Sequence, residues 1–184
     1  MGDGGASAKV PDGGAGRDAG NAAASVVHLL RERGETLAVV ESLTGGMLAA
    51  TIVEIAGVSA VFRGGLVVYA TDLKASLADV PAGLLAERGP VDPDVAVALA
   101  EGGRRRCAAD WCLSATGVAG PEPQGGQPVG LVFVAVAGPT GAGARRLELT
   151  GTRTLVRVGA VTSGLGLLIE RLRAAPPPAG ARTG

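Results

Sequence analysis

Histidine, lysine, cysteine and aromatic residues are all scarce in this chain of 184 residues. Each shortage limits the kinds of catalytic or structural site that the chain can form. The only histidine, His28, lies in an amphipathic helical pattern, so a Ser-His-Asp triad is not expected. Two cysteines, Cys107 and Cys112, are too few for a disulfide framework and match no zinc spacing, which predicts reduced core thiols in the cytoplasm. No run of about 18 apolar residues occurs, so no membrane span is expected.

Excess charge of either sign is also absent. Seventeen basic and 17 acidic residues balance, so nothing predicts binding to nucleic acid or to an anionic membrane surface. Fifteen of the basic residues are arginine, and Lys74 is the only lysine besides Lys9. A buried ammonium can lose its proton whereas a guanidinium stays charged, so Lys74 is a candidate for proton transfer. A chance surface lysine is the alternative interpretation.

Glycine, proline and apolar residues divide the chain into three parts. Residues 1–20 are predicted to be a disordered leader, and residues 174–184, with their proline run, a disordered tail. Residues 21–173 are predicted to form a single three-layer α/β/α domain with a mostly buried central sheet. Helices are predicted at 21–33, 45–56, 72–77, 94–107 and 153–173, and strands at 36–40, 61–69, 111–115, 131–137 and 145–149.

Two segments at strand ends offer a nucleophile and a base. In Glu41–Gly46, Ser42 follows a predicted strand, and the backbone N–H groups of Thr44, Gly45 and Gly46 begin a helix that can face a substrate. A plain helix cap by Ser42 or Thr44 is the alternative. In Tyr69–Lys74, a phenol and an amine reach the same sheet edge. With no histidine base expected, a lysine of lowered pKa is the natural partner for Ser42.

A third segment, Thr116–Pro121, also follows a predicted strand. Its small residues leave backbone N–H groups, including those of Gly117 and Gly120, free to face a ligand. That arrangement suits an oxyanion hole or a phosphate cradle, and a plain glycine-rich loop is the alternative. Three such segments at one edge of the sheet predict a pocket.

Together, in this order, the segments resemble the CinA C-terminal domain family, which includes stand-alone nicotinamide mononucleotide (NMN) deamidases, the PncC-type amidohydrolases. Further matching segments are Gly89-Pro90-Val91, Pro128-Val129-Gly130, and Gly151-Thr152-Arg153 with Arg157. The resemblance spans about residues 21–173. The chain departs from the family pattern at Asp92-Pro93, where Ser-Glu is usual, and at Glu122–Gln124, which reshapes a loop.

The resemblance implies hydrolysis of NMN to nicotinic acid mononucleotide and ammonia in pyridine-nucleotide salvage. It places the chemistry on Ser42 and Lys74, with Tyr69 and Thr116 nearby in the pattern, and it implies a homodimer that needs no metal or cofactor. Arg153 is a candidate for the substrate phosphate, and an ordinary salt bridge at a helix N-terminus is the alternative. A non-catalytic nucleotide- or phosphate-binding module, or an amidase for another small amide, are the other functions left open.

Overall fold

A five-stranded mixed sheet between two layers of helices organises residues 13–176, which the computed structural model describes. The strand order is β2-β1-β3-β4-β5. The strands are β1 (Leu37–Glu41), β2 (Phe62–Val67), β3 (Trp111–Gly117), β4 (Leu131–Gly138) and β5 (Gly141–Glu148). The strand β1 runs parallel to β2 and β3. The strand β4 runs antiparallel to β3, and β5 runs antiparallel to β4. The α/β fold expected from the sequence is confirmed.

Helices cover both faces of the sheet, so the three-layer prediction is confirmed as well. The helices are α1 (Gly13–Arg33), α2 (Met47–Val53), α3 (Thr71–Ala78), α4 (Ala82–Arg88), α5 (Pro93–Arg106) and α6 (Arg153–Ala174). Along β1, Leu37 and Val39 lie in the core beneath α1 and α6, whereas Ala38 and Val40 lie in the core beneath α5. This alternation follows from the two-residue period of a strand. None of these helices is long and apolar enough to cross a membrane.

The sheet is mostly buried, as the sequence predicts, but its edges are not. Every residue of β1 and β4 is buried, and only Gly117 of β3 is partly exposed. The edge strands β2 and β5 instead consist of half-buried and exposed residues. Both exceptions lie at the ends of the strand order, where a strand has a neighbour on one side only.

The first helix corrects the predicted boundary of the leader. Helix α1 begins at Gly13, so the disorder predicted for residues 1–20 is wrong for residues 13–20. Ala19 is buried and Ala23 follows it one turn later, within the core that α1 shares with α6. Small alanines are sufficient here because a neighbouring helix covers them. The predictions for residues 1–12 and 177–184 lie outside the described residues.

Three elements differ from the sequence prediction. The helix predicted at 45–56 is shorter because Gly45 and Gly46 have positive φ angles of 57° and 95°, which an α-helix does not accommodate. Helix α4 was not predicted, since its seven residues lie between Pro81 and Gly89 and resemble a loop. Strand β5 begins at Gly141 instead of 145, because pairing with β4 overrides the weak strand tendency of its glycines and alanines.

Candidate active site

The candidate site lies where the parallel strands β1 and β3 end. Ser42 directly follows β1, and its N–H donates to the Ala115 carbonyl of β3 at 2.9 Å. Because Glu41 is paired with Ala115, the next residues, Ser42 and Thr116, lie side by side on neighbouring strands. Ser42 is 8% exposed and Thr116 1% exposed. The sequence prediction that strand ends bring these segments together is therefore correct.

Lys74 reaches Ser42 from helix α3. Its Nζ lies 3.1 Å from Ser42 Oγ, 2.8 Å from the Val68 carbonyl oxygen and 3.5 Å from the Tyr69 carbonyl oxygen. The side chain is only 1% exposed. Burial lowers the pKa of Lys74 from 10.5 to about 8, although the nearby Asp72 carboxylate opposes this shift. With that pKa, roughly a tenth of the amine is neutral at pH 7.

The loop after Ser42 is held from inside by Glu41. The Glu41 carboxylate is fully buried and accepts hydrogen bonds from the N–H groups of Gly46 (2.9 Å), Leu48 (3.0 Å) and Ala49 (2.8 Å). These are N–H groups at the start of α2, which have no partner within the helix. The helix is therefore capped by Glu41, and not by Ser42 or Thr44 as the alternative interpretation proposed.

This capping corrects part of the predicted substrate-binding set. The Gly46 N–H is used by Glu41, and the Gly45 N–H donates to the Ser42 carbonyl at 3.1 Å. The prediction that these two glycines offer N–H groups to a substrate is therefore wrong. Within residues 13–176, no acceptor is found for the N–H groups of Leu43 and Thr44. Leu43 lines the cleft, whereas the Thr44 side chain is fully buried and its hydroxyl has no partner in the described part of the chain.

Arg157 holds the same loop from the other side. Its Nε donates to the Leu43 carbonyl at 3.1 Å, and its Nη2 donates to the Thr44 carbonyl at 2.6 Å. Arg157 lies one helical turn after Arg153 on α6, so both arginines extend from the same part of that helix. The loop is thus fixed by a carboxylate and a guanidinium while its Leu43 N–H stays unpaired.

Glu41 should contribute strongly to the stability of the fold. We expect Glu41→Ala to lower the free energy of unfolding by about 2–4 kcal/mol, because one buried and two part-buried N–H groups would lose their acceptor. Urea unfolding followed by circular dichroism measures this change. Glu32→Ala, which removes an exposed glutamate on α1, is the control. Equal stability of the two variants would contradict the capping role.

The elements described above enclose a cleft of about 500 Å³, including its open mouth. Its lining includes most of the site residues predicted from the sequence: Ser42, Tyr69, Lys74, Thr116, Gly117, Gly120 and Arg153. It also includes several residues to which sequence reasoning gave no role: Leu43, Thr71, Pro90, Val91, Glu122 and Gln124. The motif segments around Leu43, Pro90 and Glu122 drew attention to them, but only the folded chain shows that they form one wall.

Tyr69 contributes to the site differently from the sequence expectation. Its side chain is 59% exposed, and its hydroxyl accepts a hydrogen bond from Arg153 Nη2 at 3.0 Å. The part of Tyr69 that faces Lys74 is its backbone carbonyl. The Tyr69 phenol, expected at the same sheet edge as the Lys74 amine, is instead hydrogen-bonded to Arg153, and its hydroxyl bonds to neither Ser42 nor Lys74.

Arg153 stands at the mouth of the cleft and has only neutral acceptors. Besides the Tyr69 hydroxyl, its guanidinium donates to the Gly120 carbonyl through Nη1. Among residues 13–176, no carboxylate forms a salt bridge with it, so the alternative of a helix-terminal salt bridge is wrong. The guanidinium charge at this position remains available to an anion.

The third predicted segment combines a buried hydroxyl with a structural glycine. Thr116 Oγ1 donates to the Pro90 carbonyl at 2.6 Å. A Cβ at Gly117 would lie 2.6 Å from the Leu131 carbonyl oxygen and 2.8 Å from Val132 Cα, so glycine is required there by the close approach of β4. Gly117 is thus required by the packing of β3 against β4, whereas the Thr116 hydroxyl lies in the wall of the cleft.

Sequence comparisons connect this site to known proteins. Residues 20–172 match the family model described as the CinA C-terminal domain. A CinA-like protein of Frankia casuarinae is 47% identical over 151 residues, which is 82% of this chain and 35% of that protein. A CinA-like protein of Geobacter sulfurreducens is 43% identical over 151 residues, 80% of this chain and 36% of that protein. The chain therefore spans about a third of the length of these curated relatives.

Solved structures give the same result. The crystal structure of the competence/damage inducible protein CihA from Agrobacterium tumefaciens superposes with a TM-score of 0.80 at 32% identity, covering 85% of this chain and 96% of that one. A CinA superfamily protein from Klebsiella pneumoniae gives a TM-score of 0.83 at 28% identity, covering 85% and 99%. Because the family model covers most of the described residues and the folds agree, the chain belongs to the CinA C-terminal domain family.

Proposed function

We propose that this protein is an amidohydrolase that converts the carboxamide of NMN to the carboxylate of nicotinic acid mononucleotide and releases ammonia. The observation that carries the proposal is the 3.1 Å approach of Lys74 Nζ to Ser42 Oγ in the wall of a cleft. A serine needs a base to act as a nucleophile, and a buried lysine of lowered pKa can serve as that base. The family resemblance supplies the substrate.

The contacts of Lys74 orient it for this role. A neutral amine has two N–H bonds and one lone pair. The Val68 and Tyr69 carbonyls can accept the two N–H bonds, which leaves the lone pair directed at Ser42 Oγ. Burial favours the neutral form of the amine, and the backbone carbonyls orient that form toward the serine.

In the first half of the reaction, Lys74 takes the Ser42 proton while Oγ forms a bond to the carboxamide carbon. The negative charge that develops on the carboxamide oxygen is stabilised by the unpaired Leu43 N–H at the cleft wall. The protonated Lys74 then passes its proton to the departing nitrogen. The C–N bond breaks, ammonia leaves and an ester on Ser42 remains.

In the second half, water replaces ammonia. Lys74, neutral again, takes a proton from the water as its oxygen bonds to the ester carbon. The bond between that carbon and Ser42 Oγ then breaks, and the proton on Lys74 returns to the serine oxygen. One water is consumed, one ammonia is released, and both residues are restored.

The cleft also suits the remainder of NMN. Arg153 lies at the mouth, and among residues 13–176 its guanidinium is bound only to the Gly120 carbonyl and the Tyr69 hydroxyl. A phosphate would be a stronger partner than either neutral acceptor, so we place the substrate phosphate at Arg153. The homodimer implied by the resemblance is retained as part of the proposal.

Ammonia release from NMN by the purified protein tests the proposed function. A panel of small amides run in parallel identifies the substrate if NMN is not turned over. Thermal unfolding with and without NMN is measured beside it. Stabilisation by NMN without ammonia release would overturn the enzymatic proposal and indicate a non-catalytic nucleotide-binding module.

The pH dependence of turnover should report the ionisation of Lys74. The base acts in its neutral form, so kcat/KM should rise about tenfold per pH unit below the Lys74 pKa of about 8 and level off above it. Initial rates of ammonia release across this range, with protein stability checked at each pH, measure the profile. A rate that falls as pH rises through 8 would contradict a neutral lysine base.

A further inference from the structure

Thr116 and Ser42 occupy neighbouring positions on one face of the sheet. Two residues before them, Val40 of β1 is paired with Ser114 of β3. Both belong to the face beneath α5, where Ser114 Oγ donates to the Ala96 carbonyl at 2.6 Å. Two residues further along each strand, the side chains of Ser42 and Thr116 return to this face. Adjacent strands are about 4.8 Å apart, so a group bonded to Ser42 Oγ lies next to the Thr116 hydroxyl.

The proton of the Thr116 hydroxyl is already used in a hydrogen bond within the protein. Oγ1 donates to the Pro90 carbonyl at 2.6 Å, and the residue is 1% exposed. A hydroxyl has one proton and two lone pairs, so a threonine that donates in this way can only accept from the cleft. Turning the proton toward the cleft would take from the part-buried Pro90 carbonyl the donor that it has in the structure, which is unfavourable.

We propose that Thr116 is a specificity-determining residue that accepts a hydrogen bond from the N–H of the scissile carboxamide. Beside Ser42, the wall of the cleft then includes a donor, the Leu43 N–H, and an acceptor, Thr116 Oγ1, for the two ends of an amide. A carboxylate has only acceptors and would place an oxygen against the lone pairs of Thr116. The site therefore selects the amide substrate over the acid product, which also favours product release. This inference rests on the proposed function, and it adds the group by which the amide is recognised.

Binding to an inactive variant tests the inference. In Ser42→Ala, the affinities for NMN and for nicotinic acid mononucleotide are measured by calorimetry, about one pH unit above the Lys74 pKa of about 8 so that the amine is mostly neutral. Adding Thr116→Val, which keeps the shape and removes the hydroxyl, should reduce the ratio of amide to acid affinity about tenfold. Adding Thr116→Ser, which keeps the hydroxyl, should preserve it.

Ser114→Ala is the matched control. Ser114 is buried on the same strand and donates to a backbone carbonyl at the same distance of 2.6 Å, but it does not line the cleft. It should leave the ratio unchanged even if it lowers stability. An unchanged ratio in the Thr116→Val protein, or an equal change in the Ser114→Ala protein, would overturn the inference alone. If neither ligand binds, the proposed substrate is wrong and the inference fails with it.

Discussion

Replacing Ser42 by alanine is expected to lower ammonia release from NMN by at least about 10⁴-fold. The serine oxygen forms the covalent intermediate, and no other hydroxyl in the described chain is hydrogen-bonded to Lys74 Nζ. The loss should appear in kcat, because removing one small hydroxyl leaves the remaining cleft wall and Arg153 able to bind the nucleotide. Steady-state ammonia assays together with calorimetric binding of NMN separate these two quantities.

Ser114→Ala again provides the control for this prediction, since it removes a buried serine hydroxyl from β3 without touching the cleft. It should keep most of the activity. If the Ser42→Ala protein binds NMN and retains turnover within about tenfold of the wild type, the nucleophile is not Ser42. Lys74 would then have to activate a water that attacks the amide directly.

The layered fold could be predicted because its buried strands can be recognised from their apolar composition. β1 and β4 are continuous apolar runs buried on both faces, which is typical of the interior of such a sheet. The first turns of α1 gave no such signal. Their residues are mainly glycine and alanine, and only the position of α6 makes Ala19 a buried contact. Long-range packing of this kind is absent from local sequence patterns.

The Ser42–Lys74 pair could also be predicted, because both residues follow strand ends that meet at one sheet edge. The hydrogen-bond partners of the backbone N–H groups at the start of α2 could not be predicted. Glu41 reaches N–H groups up to eight residues away, a contact that depends on the path of the loop and not on any spacing rule. Likewise, the direction of the Tyr69 hydroxyl toward Arg153 joins residues 84 positions apart.

Replacing Lys74 by methionine is expected to reduce kcat/KM for NMN by about 10²–10⁴-fold, the contribution of a positioned general base. Methionine has a similar length and is apolar, so it fits a position that is 1% exposed. Ser42 would keep its place after β1 but lose the only amine within hydrogen-bonding distance in the described structure. The residual rate should no longer rise with pH near 8, because the group that titrates there has been removed.

Two further variants identify which property of Lys74 matters. Lys74→Arg keeps the positive charge but cannot accept a proton, so it should be as inactive as Lys74→Met once thermal unfolding shows that both are folded. Asp72→Asn removes the exposed carboxylate that raises the Lys74 pKa, so its pH profile should shift to lower pH with an unchanged plateau. Full activity in Lys74→Arg would show that charge alone is required, and a profile that Asp72→Asn leaves unmoved would assign the titrating group to another residue.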